Sequence, residues 1–216
     1  MSGNIGNFKL EYGKEYRLSI SFKDKSELLT CIEYLHQQCS NLCKYLRISN
    51  CMFYSLGKRY TFLENKWYTY AFNAVEESAA ITLCKIYDKQ KDSYSVYNLL
   101  KYLCNVNNAT KFFRNNESRI AECVDLFNNR VLSCYQTIKD MRDKRYMHIS
   151  EAIFDKDYVN KYSATFAVYE LGYQVALKIV NELYYMLEGR DLEPITKDEF
   201  NIQINKFITS LDENGD

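Results

Sequence analysis

The sequence has almost no proline. Pro194 is the single one among 216 residues, and glycine occurs only seven times. Both residues punctuate loops and turns, so their scarcity excludes a chain built from many tight turns and implies long helices. No run of about eighteen uninterrupted apolar residues occurs, which excludes a membrane-spanning helix by pattern. Net charge is missing too, since 28 Lys and Arg balance 28 Asp and Glu. No global field therefore gathers nucleic acid or anionic lipid from a distance, and any polyanion must be held by a local patch. The opening "MSGNIGNFKLEYGKEY" lacks the charged-then-apolar order of an export signal. A cytoplasmic protein without membrane contact is expected.

What is present is an ordinary apolar fraction, 47%, and eight cysteines. The cysteines are scattered through segments that read as helix, with no framework of spacings, so reduced thiols are expected. The segment "NFKLEYGKEYRLSISF" alternates apolar and polar residues on both sides of Gly13. It reads as a hairpin or as an extended arm lying on the main body, because two strands alone are marginal in water.

From Ser26 the period changes to three and four. Leu28, Ile32, Leu35, Cys39, Leu42 and Leu46 form one stripe of a helix. "WYTYAFNAVEESAAITLCKIYD" forms the next helix, with Ala71, Ala74, Ser78 and Ala79 small enough for a neighbour to approach closely. "SYSVYNLLKYLCN" gives a short helix capped by Ser93 or Ser95, and the Asn-rich "NVNNATKFFRNN" reads as a loop with at most one helical turn. Ile120, Val124, Phe127, Val131, Cys134, Ile138 and Met141 then follow in the clearest rhythm of the chain. A further long helix carries Tyr162, Phe166, Tyr169, Tyr173, Ala176, Val180, Leu183 and Leu187 and ends at Gly189. "PITKDEFNIQINKFITSL" restarts with a capping box, Thr196 reaching Glu199. The expected fold is all-α, an antiparallel up-and-down helical bundle. Residues 1–25 are the arm or hairpin, 26–212 the bundle and 213–216 a disordered tail.

The Ile120 rhythm ends in "MRDKRYMHIS", three positive charges and one of the two histidines within ten positions. At roughly 100° per residue the apolar stripe spans an arc of roughly 100°. Continued one turn further, Arg142 falls at its Val124 edge, Arg145 near its centre and His148 just beyond its Met141 edge. Lys144 projects away from it. Two readings follow. The helix simply reaches water there, where cations suit the negative end of the dipole. Alternatively, the basic groups face an anion in a cleft, and a phosphodiester is the natural one: guanidinium forks match phosphate oxygens and a histidine titrates near neutral pH.

"RDKRYMH", Arg142 through His148, resembles the Arg, polar residue, spacer, His signature of the HEPN superfamily (higher eukaryotes and prokaryotes nucleotide-binding domain). It is most similar to the abortive-infection branch, whose motif is R-D-K-x-x-x-H. The Ala-rich helix closing on Tyr87-Asp88 and the helix opening "SVYNLL" agree with that branch, and the resemblance covers about residues 60 to 188. The resemblance implies a metal-independent endoribonuclease, acting in phage defence or as a toxin, whose motif helices meet across a homodimer to form one composite site. Carried over, His148 is the acid/base and Arg142 positions the phosphate, with Asp143 as the polar residue. Arg145 lies on the motif face as a second phosphate contact, and Tyr146 either stacks on a base or packs among the twenty tyrosines. No cofactor or metal is implied. RNA is the substrate, and a separately encoded antitoxin or regulatory partner is expected. The alternative is a catalytically inactive HEPN bundle that binds a protein or a nucleotide, which the balanced charge favours.

A rival metal chemistry rests on Glu33 and His36, a Glu-x-x-His pair of the kind that di-iron bundles use in duplicate. His148 has Arg145 three residues before it where a second pair needs Glu, and there is no third histidine. His36 with Cys39 and Cys43 has zinc-ligand chemistry, but Cys39 already belongs to the apolar stripe, which favours buried structural cysteines. No Gly-rich phosphate loop or G-x-S-x-G elbow occurs.

Overall fold

A capped start and an unbroken apolar stripe make the first helix. Asp24 is extended, and its carboxylate accepts from the Glu27 N–H at 3.0 Å, supplying one partner for the unpaired donors of a helix start. Helix α1 (Lys25–Cys51) follows, and Leu28, Ile32, Leu35, Cys39, Leu42 and Leu46 are all buried. Burying each such Leu or Ile stabilises the fold by about 1.5–3 kcal/mol. The structure, a computed structural model, describes residues 20–53, 66–141 and 166–195, together with Lys206. Its other helices are α2 (Lys66–Ile86), α3 (Val96–Leu103), α4 (Val106–Phe112), α5 (Glu117–Arg130), α6 (Leu132–Met141) and α7 (Phe166–Glu188). The described residues contain no strand, and the fold is the all-α bundle that the periodicity predicts.

Side-chain contacts fix the helix directions. Lys25 at the start of α1 pairs with Glu188 at the end of α7, 2.8 Å apart, so those helices are antiparallel. Phe53 just after α1 meets Phe72 near the start of α2, so α2 also runs against α1. Arg119 at the start of α5 pairs with Glu182 late in α7, which makes α5 antiparallel to α7. Hence α5 and α6 run in the direction of α1, and the end of α6 points to the pole where α1 finishes. The core between these helices includes Leu83, Tyr87, Leu99, Phe127, Ile179 and Leu183.

Three details differ from the sequence expectation. The Asn-rich segment is helical as α4, because Asn105 caps it through the Asn107 N–H (3.0 Å) and Ala109 is fully buried. The small residues of α2 do not form a buried seam: Ala79 is buried, but Ala74 faces outward and Ala71 and Ser78 are half-buried. The close approach lies at Gly172 of α7, where a Cβ would stand 2.9 Å from Leu83 Cδ1. Finally, the long rhythm from Ile120 is carried by two helices. Val131 (φ −100°, ψ −39°) separates α5 from α6, although its N–H still donates to Phe127 and its carbonyl accepts from Tyr135, each at 2.9 Å.

The expected arm or hairpin over residues 1–25 lies outside the described residues except for its last positions. Ile20 and Phe22 are buried in the core, and Phe22 packs edge-on to Tyr102 at 5.1 Å. Lys111 donates to the backbone carbonyls of Phe22 (2.8 Å) and Lys23 (2.9 Å), tying this stretch to α4. The helix expected from Thr196 onward lies outside the described residues apart from Lys206, which is helical, and so do residues 213–216. At the other end of α7, Gly189 takes φ +69°, the left-handed conformation that ends a helix cheaply at glycine.

Candidate functional site

The helix that leads into the basic stretch is anchored by its apolar face. Ile120, Val124, Phe127 and Val131 have no exposed surface, and Tyr135 one turn later is buried too. Phe127 packs against Tyr87 and Tyr97, with ring centroids 5.9 and 6.0 Å apart. This packing joins α5 to the end of α2 and the start of α3. Beyond Val131, α6 continues beside α2 and ends as described at Met141. Arg142, Asp143, Arg145, Tyr146 and His148, the five residues singled out by the motif, lie outside the described residues and begin directly after Met141. Phe53 and Tyr70, at the end of α1 and the start of α2, are exposed at the pole toward which α6 points.

A cation that sequence reasoning missed sits on the flank of α6. The Lys89 ammonium lies 4.2 Å from the centroid of the Tyr135 ring and 5.1 Å from that of Tyr97. Neither periodicity nor motif spacing signals such a contact, because its three residues come from three separate elements.

The second histidine is placed quite differently. His36 is half-buried on α1, and burial lowers its imidazole pKa while the Glu193 carboxylate opposes that shift. Glu33 is exposed, whereas Cys39 and Cys43 are buried. Burial alone pushes the Cys31 thiol up to about 12, and burial together with neighbouring Cys43 does the same to Cys39. Such thiols are held as neutral packing groups, not as thiolate ligands. Among the described residues no group of three or more His, Cys, Asp or Glu side chains is placed to hold a metal ion.

A cleft of about 510 Å³ lies elsewhere, between α5 and α7, lined among others by Arg119, Lys178, Asn181, Glu182 and Tyr185. Arg119 is paired with Glu182 and its guanidinium lies 5.1 Å from the Tyr185 ring centroid. Arg119 belongs to the first turn of α5, so this part of the cleft lies toward the opposite pole from the end of α6.

The all-helical bundle of the described residues, together with a family match over most of the chain, defines the class: this is a HEPN helical bundle. Its particular family is AbiU2. The family model for AbiU2 in the HEPN group matches residues 25–203, and the chain belongs to that abortive-infection family. No curated protein and no solved structure matches it. The matched range starts at the first residue of α1 and includes the whole of Arg142 to His148. No helix among the described residues is long and apolar enough to cross a membrane.

Proposed function

We propose that this protein is a metal-independent endoribonuclease acting in abortive infection or as a toxin. The observation that carries the reading is that the R-D-K-x-x-x-H stretch follows directly on α6 in a chain of the AbiU2 family. In this reading the His148 imidazole takes the proton from a ribose 2′-hydroxyl. The 2′-oxygen attacks the adjacent phosphorus, the bond to the 5′-oxygen breaks, and that oxygen leaves with a proton. Arg142 holds the phosphate and stabilises the charge that grows on its equatorial oxygens, with Arg145 as a second contact. Asp143 is the polar residue after Arg142 in the motif, and Tyr146 offers a stacking face to a base. The products are a 2′,3′-cyclic phosphate and a 5′-hydroxyl.

A balanced net charge leaves one short cationic cluster to hold a polyanion, and a homodimer doubles that cluster at a shared site. The site is therefore proposed as composite, in a cytoplasmic enzyme held in check by a separately encoded partner. The same balanced charge favours the second reading, an inactive HEPN bundle that binds a protein or a nucleotide. Cleavage of a mixed RNA substrate in EDTA tests the first, with end-group analysis of the products. The parent protein is expected to cut and His148→Ala and Arg142→Ala to lose activity. Equal cutting by His148→Ala, or a strictly monomeric parent at micromolar concentration, overturns it.

A further inference from the structure

Two features that mark the family resemblance, Tyr87-Asp88 and the "SVYNLL" opening of α3, take no part in the reaction proposed above. The structure joins them in one bracket. Ser95, without exposed surface, caps α3 by accepting from the Asn98 N–H (3.1 Å) and donates its hydroxyl to the Asp88 carbonyl (2.6 Å). Asn98 is 1% exposed, and its side-chain amide donates to the carbonyls of Gln90 and Ser93. The Tyr87 hydroxyl donates to the Gly172 carbonyl of α7 at 2.6 Å. The turn between α2 and α3 is thus held by buried and part-buried hydrogen bonds, which are costly to break.

Lys89 rises from this turn. Its ammonium faces Tyr97 of α3 and Tyr135 of α6, two rings that are themselves almost fully buried. A cation over an aromatic face is attracted by the ring quadrupole, most strongly where water is excluded. One ammonium therefore links the turn, α3 and α6. Tyr135 stands six residues before Met141, about 9 Å along the axis at 1.5 Å per residue. A change in the seat of Tyr135 is carried along a stiff helix to its end, where Arg142 is the next residue.

We infer that Lys89 is a positioning residue: by clamping Tyr135 it sets the placement of α6 and so of the catalytic stretch that follows. The catalytic half of this inference rests on the ribonuclease reading, whereas the clamp on α6 does not. Lys89→Met keeps the apolar stem and removes the charge, Lys89→Gln keeps a polar head without charge, and Lys89→Arg keeps a cation that still stacks on tyrosine. The test measures hydrogen exchange of the full-length variants together with their kcat and KM on RNA. In Lys89→Met and Lys89→Gln, amides of residues 132–141 are expected to exchange at least about tenfold faster, while the cores of α1 and α7 are unchanged. With a misplaced motif, kcat is expected to fall about ten- to a hundredfold with KM changed by less than about threefold. Lys89→Arg is expected to restore most of both. Unchanged exchange in α6, equal acceleration in every helix, a loss confined to KM, or an arginine variant as defective as the methionine one each overturns the inference. If the parent cuts no RNA, the ribonuclease reading fails by itself, and exchange in α6 still decides whether Lys89 clamps that helix.

Discussion

Replacing Gly172 by alanine sets two physical effects against each other, and the structure decides between them. Alanine is favoured over glycine inside a helix by about 1 kcal/mol, so propensity alone makes Gly172→Ala stabilising. Against it stands Leu83, whose Cδ1 and Cδ2 would lie 2.9 and 3.3 Å from the new Cβ. A leucine tip is flexible in principle, but Leu83 has no exposed surface, so it retreats only by pushing packed neighbours. Overpacking of this kind costs about 1–3 kcal/mol. With about 2 kcal/mol from the middle of that range, the net is a loss of about 1 kcal/mol, or about 2–4 °C in Tm for a chain of this length. Leu83→Ala alone is expected to cost about 2–5 kcal/mol. In that background the obstacle is gone, and Gly172→Ala is expected to stabilise by about 1 kcal/mol. Urea unfolding of the parent, both single variants and the double variant measures the coupling, expected at about 2 kcal/mol. The same effect of Gly172→Ala in both backgrounds refutes the reasoning, as does a gain of the full propensity term in the parent.

Removing the α1 cap with Asp24→Ala is expected to cost about 1 kcal/mol, read as a lower urea midpoint at unchanged slope. Because burial lowers the His36 pKa below its ordinary 6.5, the folded chain binds that proton less readily than the unfolded one. The stability linked to His36 is therefore complete above about pH 6.5 and declines as the pH falls below it. Midpoints at pH 7.5 and 5.5 should drop more in the parent than in His36→Gln, and equal drops would contradict the assigned environment. Of the seven cysteines whose side chains are described, Cys51 is the one not buried. Thiol labelling of the native protein, mapped by mass spectrometry, should modify Cys51 before Cys31, Cys39, Cys43, Cys84, Cys104 and Cys123, and early labelling of Cys39 would contradict its burial.

The parts of the fold legible in the sequence are those where one helix face alone decides burial. The α1 stripe is buried at every position named, and so is the α7 stripe from Tyr169 to Leu187, whereas Phe166 at the start of that stripe is exposed and Tyr162 lies outside the described residues. Where tertiary contacts overrode local preference, pattern failed. Asparagine is a poor helix former, yet α4 forms because a cap and the buried Ala109 hold it. Small residues in α2 signal where a neighbour can come close, but the approach was set by Gly172 on another helix, more than eighty residues away. Arg142 and His148 stand out in the sequence by residue type and order alone, and both lie outside the described residues. The contact between Lys89 and Tyr135 was not legible, because it depends on how three elements pack and no period of three or four spans that distance.

The meeting of Lys25 with Glu188 has a mechanical consequence. The first residue of α1 and the last residue of α7 stand side by side, so a force that separates them peels two antiparallel helices apart from their shared end. Contacts then break one layer after another, the soft direction for a helical bundle, instead of all at once as when helices slide lengthwise. The first to give is a partly exposed ion pair, and the next are the apolar layers around Leu28 and Leu187, while α6 lies at the far pole and is the last to feel the pull. A protein held by this corner yields under load from the end opposite the one toward which α6 points.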